Sequence, residues 1–421
     1  MASPGASSLP STRSTRRRTP AAVSNSGVLP PDLLFDVLLR IQAKELCRLR
    51  AVCRSWRSLS SNRLFIRAHA ARHRSPLLLA KFRDDDAHVH VVDLSGDTVK
   101  LLAGAGGDHQ LLCTSLDLAC LGTRSNSCRV LNPATGAVCA LPKYPALGDP
   151  SRPELYKPGT FYAFGQVPST GEYKVLRMFN RSENRSFGGE QLFDVFTINS
   201  GASNARWRVL SRDYFVEAES AVVVDGAVYF LMNGRHYPNA ISSGIPPDYI
   251  ASLDIRTEQW RRDLQGPISG NLDMEHADDR KEYRYLWHQL SLGELEGSLV
   301  LANHRSCQFV LDIWFLTDFH SGLWVKKYSI KTESIVQSLS DDYRVKPLLV
   351  LDDGRLLIFL PLTGQLLICD PEANTYTSVE MRQLDSIAVY AGRCHFISVI
   401  QNSYSDFGGA GVDLSVLIGF S

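Results

Sequence analysis

Leu253-Asp254-Ile255-Arg256-Thr257, leading on to Trp260, is an apolar strand that ends in an aspartate, turns over small or polar residues and starts a second strand at an aromatic side chain. An apolar strand running into Asp or Asn, a small-residue turn and a second strand occurs five more times. It is seen in Val92-Asp93-Leu94-Ser95-Gly96-Asp97, in Leu131-Asn132-Pro133-Ala134-Thr135-Gly136, and in Ile198-Asn199-Ser200-Gly201 before Trp207. Leu316-Thr317-Asp318 with Ser321-Gly322 before Trp324, and Cys369-Asp370-Pro371-Glu372-Ala373-Asn374, complete the set. Asp and Asn suit this place because their side-chain oxygens accept hydrogen bonds from backbone N–H groups of the turn that follows. Short apolar runs such as Leu77-Leu78-Leu79, Tyr173-Lys174-Val175-Leu176, Ala221-Val222-Val223-Val224, Leu299-Val300-Leu301 and Leu356-Leu357-Ile358-Phe359 read as strands. Everything beyond Ser75 is therefore expected to be all-β.

The anchors Asp93, Asn132, Asn199, Asp254, Asp318 and Asp370 recur about every 55 residues, near the ~50 of kelch-type blades. This predicts a kelch-like β-propeller of about six blades over residues 76–421. Radial repetition buries both faces of every sheet and leaves only short edges, which isolated hairpins cannot do. A β-sandwich with long hairpins is the alternative. Trp207, Trp260 and Trp324 are expected in the packing of the blades rather than as ligand platforms. Four irregular stretches, 147–160, 180–190, 233–248 and 269–285, exceed ordinary connection lengths and are candidates for binding loops gathered on one face.

The front of the chain differs. Residues 1–27 hold Ser, Pro, Thr, Ala and Arg but no acidic residue and no periodicity, and are expected to be a disordered tail. Arg16-Arg17-Arg18 reads as a solvated linker, with a nuclear address or an organelle transit segment as alternatives. Over residues 28–75 three helical stripes follow: Leu33, Leu34, Val37, Leu38 and Ile41; then Leu46, Leu49, Val52, Cys53 and Trp56; then a segment capped by Asn62 through Leu64, Phe65 and Ile66 to Ala70. Pro30 and Pro31 suit the first turn. A unit this small cannot close a full core, so part of its apolar surface is expected to face a partner.

Val28-Leu29-Pro30-Pro31-Asp32-Leu33-Leu34, Val37-Leu38-Leu39-Arg40-Ile41 and Leu46-Cys47-Arg48-Leu49-Arg50-Ala51-Val52-Cys53-Arg54-Ser55-Trp56, with Asn62-Arg63-Leu64-Phe65, strongly resemble an F-box. The match departs at Gln42, where family members usually have proline. Leu131-Asn132-Pro133-Ala134-Thr135-Gly136 with Leu141-Pro142, Phe164-Gly165 through Ser169-Thr170-Gly171-Glu172-Tyr173-Lys174-Val175, and Ile313-Trp314 with Trp324-Val325-Lys326-Lys327-Tyr328 resemble the associated domain that follows the F-box in many plant F-box proteins. The resemblance implies a receptor subunit without catalysis of its own. Its F-box docks on a Skp-family adaptor, which joins a cullin and a RING protein, and its β domain holds a target protein for ubiquitination. Leu29, Pro30, Leu33, Leu34, Val37, Leu38 and Ile41 are then expected to dock, with Leu46, Leu49, Val52 and Trp56 shared between docking and the small core. An F-box scaffold acting outside a ligase, or a carbohydrate-binding or hydrolytic propeller, are the other readings.

Composition narrows the field further. With 421 residues, 44% hydrophobic and 21% charged, the chain can bury a substantial core and hold one small and one large domain. Residues 1–75 carry 14 Lys and Arg against 3 Asp and Glu, leaving 31 against 41 behind them. That acidic body argues against broad nucleic-acid binding. No apolar run is long enough for a membrane helix and no secretory leader is evident, so cytoplasm or nucleus is expected. On that reading the sequons at Asn180 and Asn184 stay unused. The nine cysteines are irregularly spaced and read as reduced core thiols, with no zinc motif and no cofactor expected. Ala103-Gly104-Ala105-Gly106-Gly107 lacks the helix a phosphate loop needs and reads as a flexible loop. His88 and His90, beside Asp84-Asp85-Asp86, would share one strand face but lack a recognised third metal ligand. Cys394-His395 are neighbours in sequence only, and no nucleophile elbow is present.

Overall fold

Apolar side chains that alternate along a strand point to opposite sides of its sheet, and in this chain both sides are covered. The computed structural model describes residues 30–41, 46, 49, 52–60, 62, 65, 68, 76–102, 109–115, 118–123, 127–133, 135–142, 160–181, 190–198, 206–211, 215–232, 246–271, 286, 288–305, 308–332 and 344–390. The chain divides into two compact units, Met1–Arg72 and His73–Ser421.

Within the first unit two helices are delimited among the described residues, α1 (Pro31–Leu39) and α2 (Arg54–Ser60), where three were expected. The second expected stripe is broken. Leu46 and Leu49 are helical, but Val52 lies in a turn whose N–H donates to the Leu49 carbonyl at 3.0 Å, and helix resumes only at Arg54. Val52 and Cys53 are both weak helix formers, consistent with a break there. Phe65 and Ala68 are helical in the third stripe without a delimited helix around them. Leu38, Leu46 and Phe65 are fully buried and form the small core, with Phe35 edge-on to Phe65 at 5.1 Å.

The second unit is a ring of six antiparallel sheets, which excludes the sandwich. Blade 1 combines β1 (Leu77–Phe82), β2 (Val89–Val92) and β3 (Thr98–Leu102) with the last strand, β25 (Leu384–Tyr390). Blade 2 holds β4 (His109–Ser115), β5 (Leu118–Thr123), β6 (Cys128–Leu131) and β7 (Val138–Ala140). Blade 3 holds β8 (Thr160–Gln166), β9 (Tyr173–Arg181), β10 (Glu190–Ile198) and β11 (Arg208–Leu210). Blade 4 holds β12 (Val222–Val224), β13 (Ala227–Leu231), β14 (Tyr249–Asp254) and β15 (Gln259–Trp260), with β16 (Leu264–Gln265) also paired to β14. Blade 5 runs through β17 (Leu290–Leu295), β18 (Ser298–Arg305), β19 (Val310–Asp318) and β20 (Leu323–Lys331). Blade 6 runs through β21 (Lys346–Val350), β22 (Leu356–Leu360), β23 (Gln365–Asp370) and β24 (Thr375–Ser378).

The innermost strands β25, β4, β8, β12, β17 and β21 each neighbour the next, and β21 neighbours β25, so the ring closes. Closure uses the C-terminal strand: β25 pairs antiparallel with β1 from Leu77–Tyr390 to Phe82–Leu384. Six hydrophobic clusters occupy the six blade interfaces. In β1, Leu78, Ala80 and Phe82 face blade 6 while Leu79 faces blade 2. In β9, Val175 packs toward blade 2, and Leu176 and Met178 toward blade 4. This double burial is why these strands read as nearly unbroken apolar runs. Inside blade 3 the buried Arg177 donates Nε to Asp194 at 3.1 Å, with its guanidinium over the rings of Phe179 and Trp207.

Candidate functional site

In the helical unit, exposure divides the expected docking residues. Leu33 and Val37 lie one turn apart on α1 and are 54% and 46% exposed; Val52 is 61% exposed, and Pro30 is exposed as well. Leu34 and Leu38 are buried, where the docking reading expected surface residues, and Leu46 is buried too, as one of the residues expected to be shared between docking and the small core. Ile41, Leu49 and Trp56 are half-buried, and Leu29 and Gln42 lie outside the described residues. The helical period alone could not separate the two groups, because a stripe wide enough for a core and a partner reads as one stripe. Arg40, Arg54 and Arg57 stand exposed on the same two helices.

In the propeller, strand direction alternates throughout, so the connections sort onto two faces. Turns from the first to the second strand of a blade, and from the third to the fourth, lie on one face. Connections from second to third strands, and from blade to blade, lie on the other. All four long stretches expected as binding loops are flanked by strands that end on that second face: β7 and β8, β9 and β10, β13 and β14, β16 and β17. The stretches themselves lie almost wholly outside the described residues.

Five of the six anchor residues share one place in the fold, the end of the third strand. Asp93 Oδ1 accepts from the N–H groups of Ser95 and Asp97, and Asn132 Oδ1 from that of Thr135. Asp254 Oδ1 accepts from Arg256 and Thr257, Asp318 Oδ1 from His320, and Asp370 Oδ1 from Glu372 and Ala373. Asn199 lies outside the described residues. The three tryptophans tie neighbouring blades: the indole N–H of Trp207 donates to Pro142 O at 2.8 Å, that of Trp260 to Ser211 O at 3.1 Å, and that of Trp324 to Gln265 O at 3.1 Å. Each acceptor ends the outer edge of the preceding blade.

The histidine pair does converge, on Asp85. Its carboxylate lies 2.9 Å from His88 Nδ1 and 2.9 Å from His90 Nε2, and the bond to His90 is the first cause holding this acid far below the ordinary carboxylate range. Among the described residues no three or more His, Cys, Asp or Glu side chains are grouped to hold a metal ion. Cys120, Cys128, Cys139 and Cys369 are buried and not in disulfides, and burial pushes Cys369 up to about 12. Cys53 departs from the expected core placement, being free and exposed. No helix among the described residues is long and apolar enough to cross a membrane.

A family model described as F-box associated beta propeller domain matches residues 108–403, and one described as F-box-like matches residues 27–70. Three relatives from Arabidopsis thaliana illustrate the similarity. F-box protein At3g49450 is 27% identical over 234 residues, 49% of this chain and 54% of that protein. Putative F-box protein At3g23260 is 26% identical over 249 residues, 55% of this chain and 62% of that protein. F-box protein CPR1 is 24% identical over 381 residues, 85% of this chain and 86% of that protein. The chain thus spans little more than half the length of the first two and most of the third.

Proposed function

Because the chain belongs to the F-box proteins that carry an F-box associated β-propeller domain, we propose that it is the target-recognition subunit of a Skp–cullin–F-box ubiquitin ligase, working in the cytoplasm or nucleus. The observation that carries this reading is the exposed apolar stripe Leu33 and Val37, with Val52, inside the stretch matched as F-box-like. Half-exposed leucine and valine side chains in so small a unit gain roughly 1 kcal/mol or more each when a partner covers them. The exposed arginines beside them favour an acidic adaptor and quicken its approach. The propeller, a separate unit, then presents a target through the face on which the long connections emerge. Ubiquitin chemistry belongs to the cullin and RING partners, so no catalytic residue is assigned here.

The test is co-purification of the full chain with a Skp-family adaptor, beside Leu33→Glu/Val37→Glu. Charges placed on that stripe should lower adaptor affinity at least a hundredfold and leave the fold intact, because both sites are on the surface. Cullin should be recovered with the wild type only. A folded wild-type chain that retained no adaptor would overturn the reading.

A further inference from the structure

Two cations stand at the mouth of the central channel, on the face of the long connections. Arg344 lies two residues before β21, the innermost strand of blade 6, and Lys346 begins it. Opposite them, Glu217 and Glu219 lead into β12, the innermost strand of blade 4. Blades 4 and 6 are not neighbours, so these side chains meet across the end of β17. Ser291 of β17 donates its hydroxyl to the Val345 carbonyl and fixes the backbone that carries both cations.

The charges are poorly satisfied. The Arg344 guanidinium is 3.9 Å from Glu217 and 3.9 Å from Glu219, beyond hydrogen-bond reach, and its buried Nε has no hydrogen-bond partner among the described residues. Glu219 is 58% exposed, so it is a solvated and weakly held partner. Lys346 makes no hydrogen bond or ion pair with any described residue, although burial holds its ammonium below the ordinary lysine range of 10.5. Its backbone pairs with Phe359, and the inner strands β21 and β12 carry the apolar Leu348, Leu349, Val222 and Val223. A half-buried ammonium whose counter-charge among the described residues is the solvated Glu219 costs stability, and such costs collect at binding sites.

We propose that Arg344 and Lys346 form a carboxylate-binding pair that takes an acidic segment of the target into the channel mouth. The incoming carboxylate displaces Glu219, which stands 3.9 Å from Arg344, and makes the close paired hydrogen bonds that guanidinium geometry favours. The target's part in this rests on the receptor reading; the anion chemistry does not.

The full chain, co-purified with its adaptor, is titrated with a fluorescein-labelled octaglutamate peptide, the same peptide with an amidated C-terminus, and an octaglutamine control. Wild type should bind octaglutamate and not octaglutamine. Arg344→Met and Lys346→Met should each weaken it at least tenfold, while Glu219→Gln tightens it. Lys346→Met should also melt at or above the wild-type temperature, which a lysine needed for the fold would not do. Loss on amidation would assign the site to a chain terminus; equal binding of both acidic peptides would assign it to glutamate side chains. No octaglutamate binding by wild type, or binding unchanged in both methionine variants, would overturn the pair. Adaptor retention, read in the same preparations, reports separately on the receptor reading.

Discussion

On one face of the propeller the connections are tight turns shaped within a few residues; on the other they are long, or are held by residues from distant parts of the chain. The short-turn face is built by Asp and Asn oxygens accepting from N–H groups two to four residues ahead, and by turns such as Asp225-Gly226, whose φ values of 44° and 71° match a two-residue hairpin. The opposite face is held non-locally. Arg83 in blade 1 donates to Leu384 O at 3.2 Å and to Leu362 O at 2.9 Å, and Leu384 N–H donates to Gly364 O at 3.0 Å. The blade 6 turn, the closing strand and the first blade are thereby joined. Errors on the first face should stay local, and errors on the second should reach the ring.

Gly364→Ala tests that difference most severely. Gly364 sits at φ 69°, and a Cβ there would stand 2.9 Å from the backbone nitrogen of Leu384. Left-handed strain and collision with β25 together should remove roughly 3 kcal/mol or more, measured by urea unfolding. Because β25 closes the ring, amide exchange should rise in β1 as well as near residue 364. Protection loss confined to the turn would break the comparison.

What was legible follows the same division. Each turn of the short face is written in consecutive residues, so Asp93, Asn132, Asp254, Asp318 and Asp370 announced both their blade position and their hydrogen bonds. Arg83, Arg344 and Glu217 gave no such signal, since their partners lie dozens to hundreds of residues away and no local pattern encodes that distance. In the helical unit the period marked an apolar stripe but could not divide Leu34 and Leu38 in the core from Leu33 and Val37 on the surface. Nor could it show the turn at Val52, where two weak helix formers interrupt an otherwise continuous stripe.

Asp254→Ala is the intermediate case. It removes two turn hydrogen bonds and the pair with Arg261, and should cost roughly 1–2 kcal/mol without disturbing distant blades. Burial works against the charged form of this acid, but Arg261 and the amides of Thr257 and Arg256 outweigh it and hold the pKa at about 2 instead of 3.8. With a folded value below the unfolded one, the group stabilises the fold above about pH 4 and loses that contribution as pH falls toward 2. The gap in stability between wild type and Asp254→Asn should therefore narrow over that window and stay constant above it. A gap independent of pH would mean that the turn, not the charge, sets the effect.

The smallest expected effect lies between blades. Trp260→Phe keeps a ring against Phe193 and Phe230 but loses the hydrogen bond to Ser211 O, and should cost roughly 1 kcal/mol. Trp207 and Trp324 make equivalent ties at the two adjoining interfaces. If each tie acts only on its own interface, the double replacement Trp207→Phe/Trp324→Phe should equal the sum of its parts to within about 0.5 kcal/mol, because the sites share no partner. A clear excess over that sum would mean that strain passes around the ring through the outer strands. The outer edge would then belong with the non-local face, and the local character of the short turns would end at the third strand of each blade.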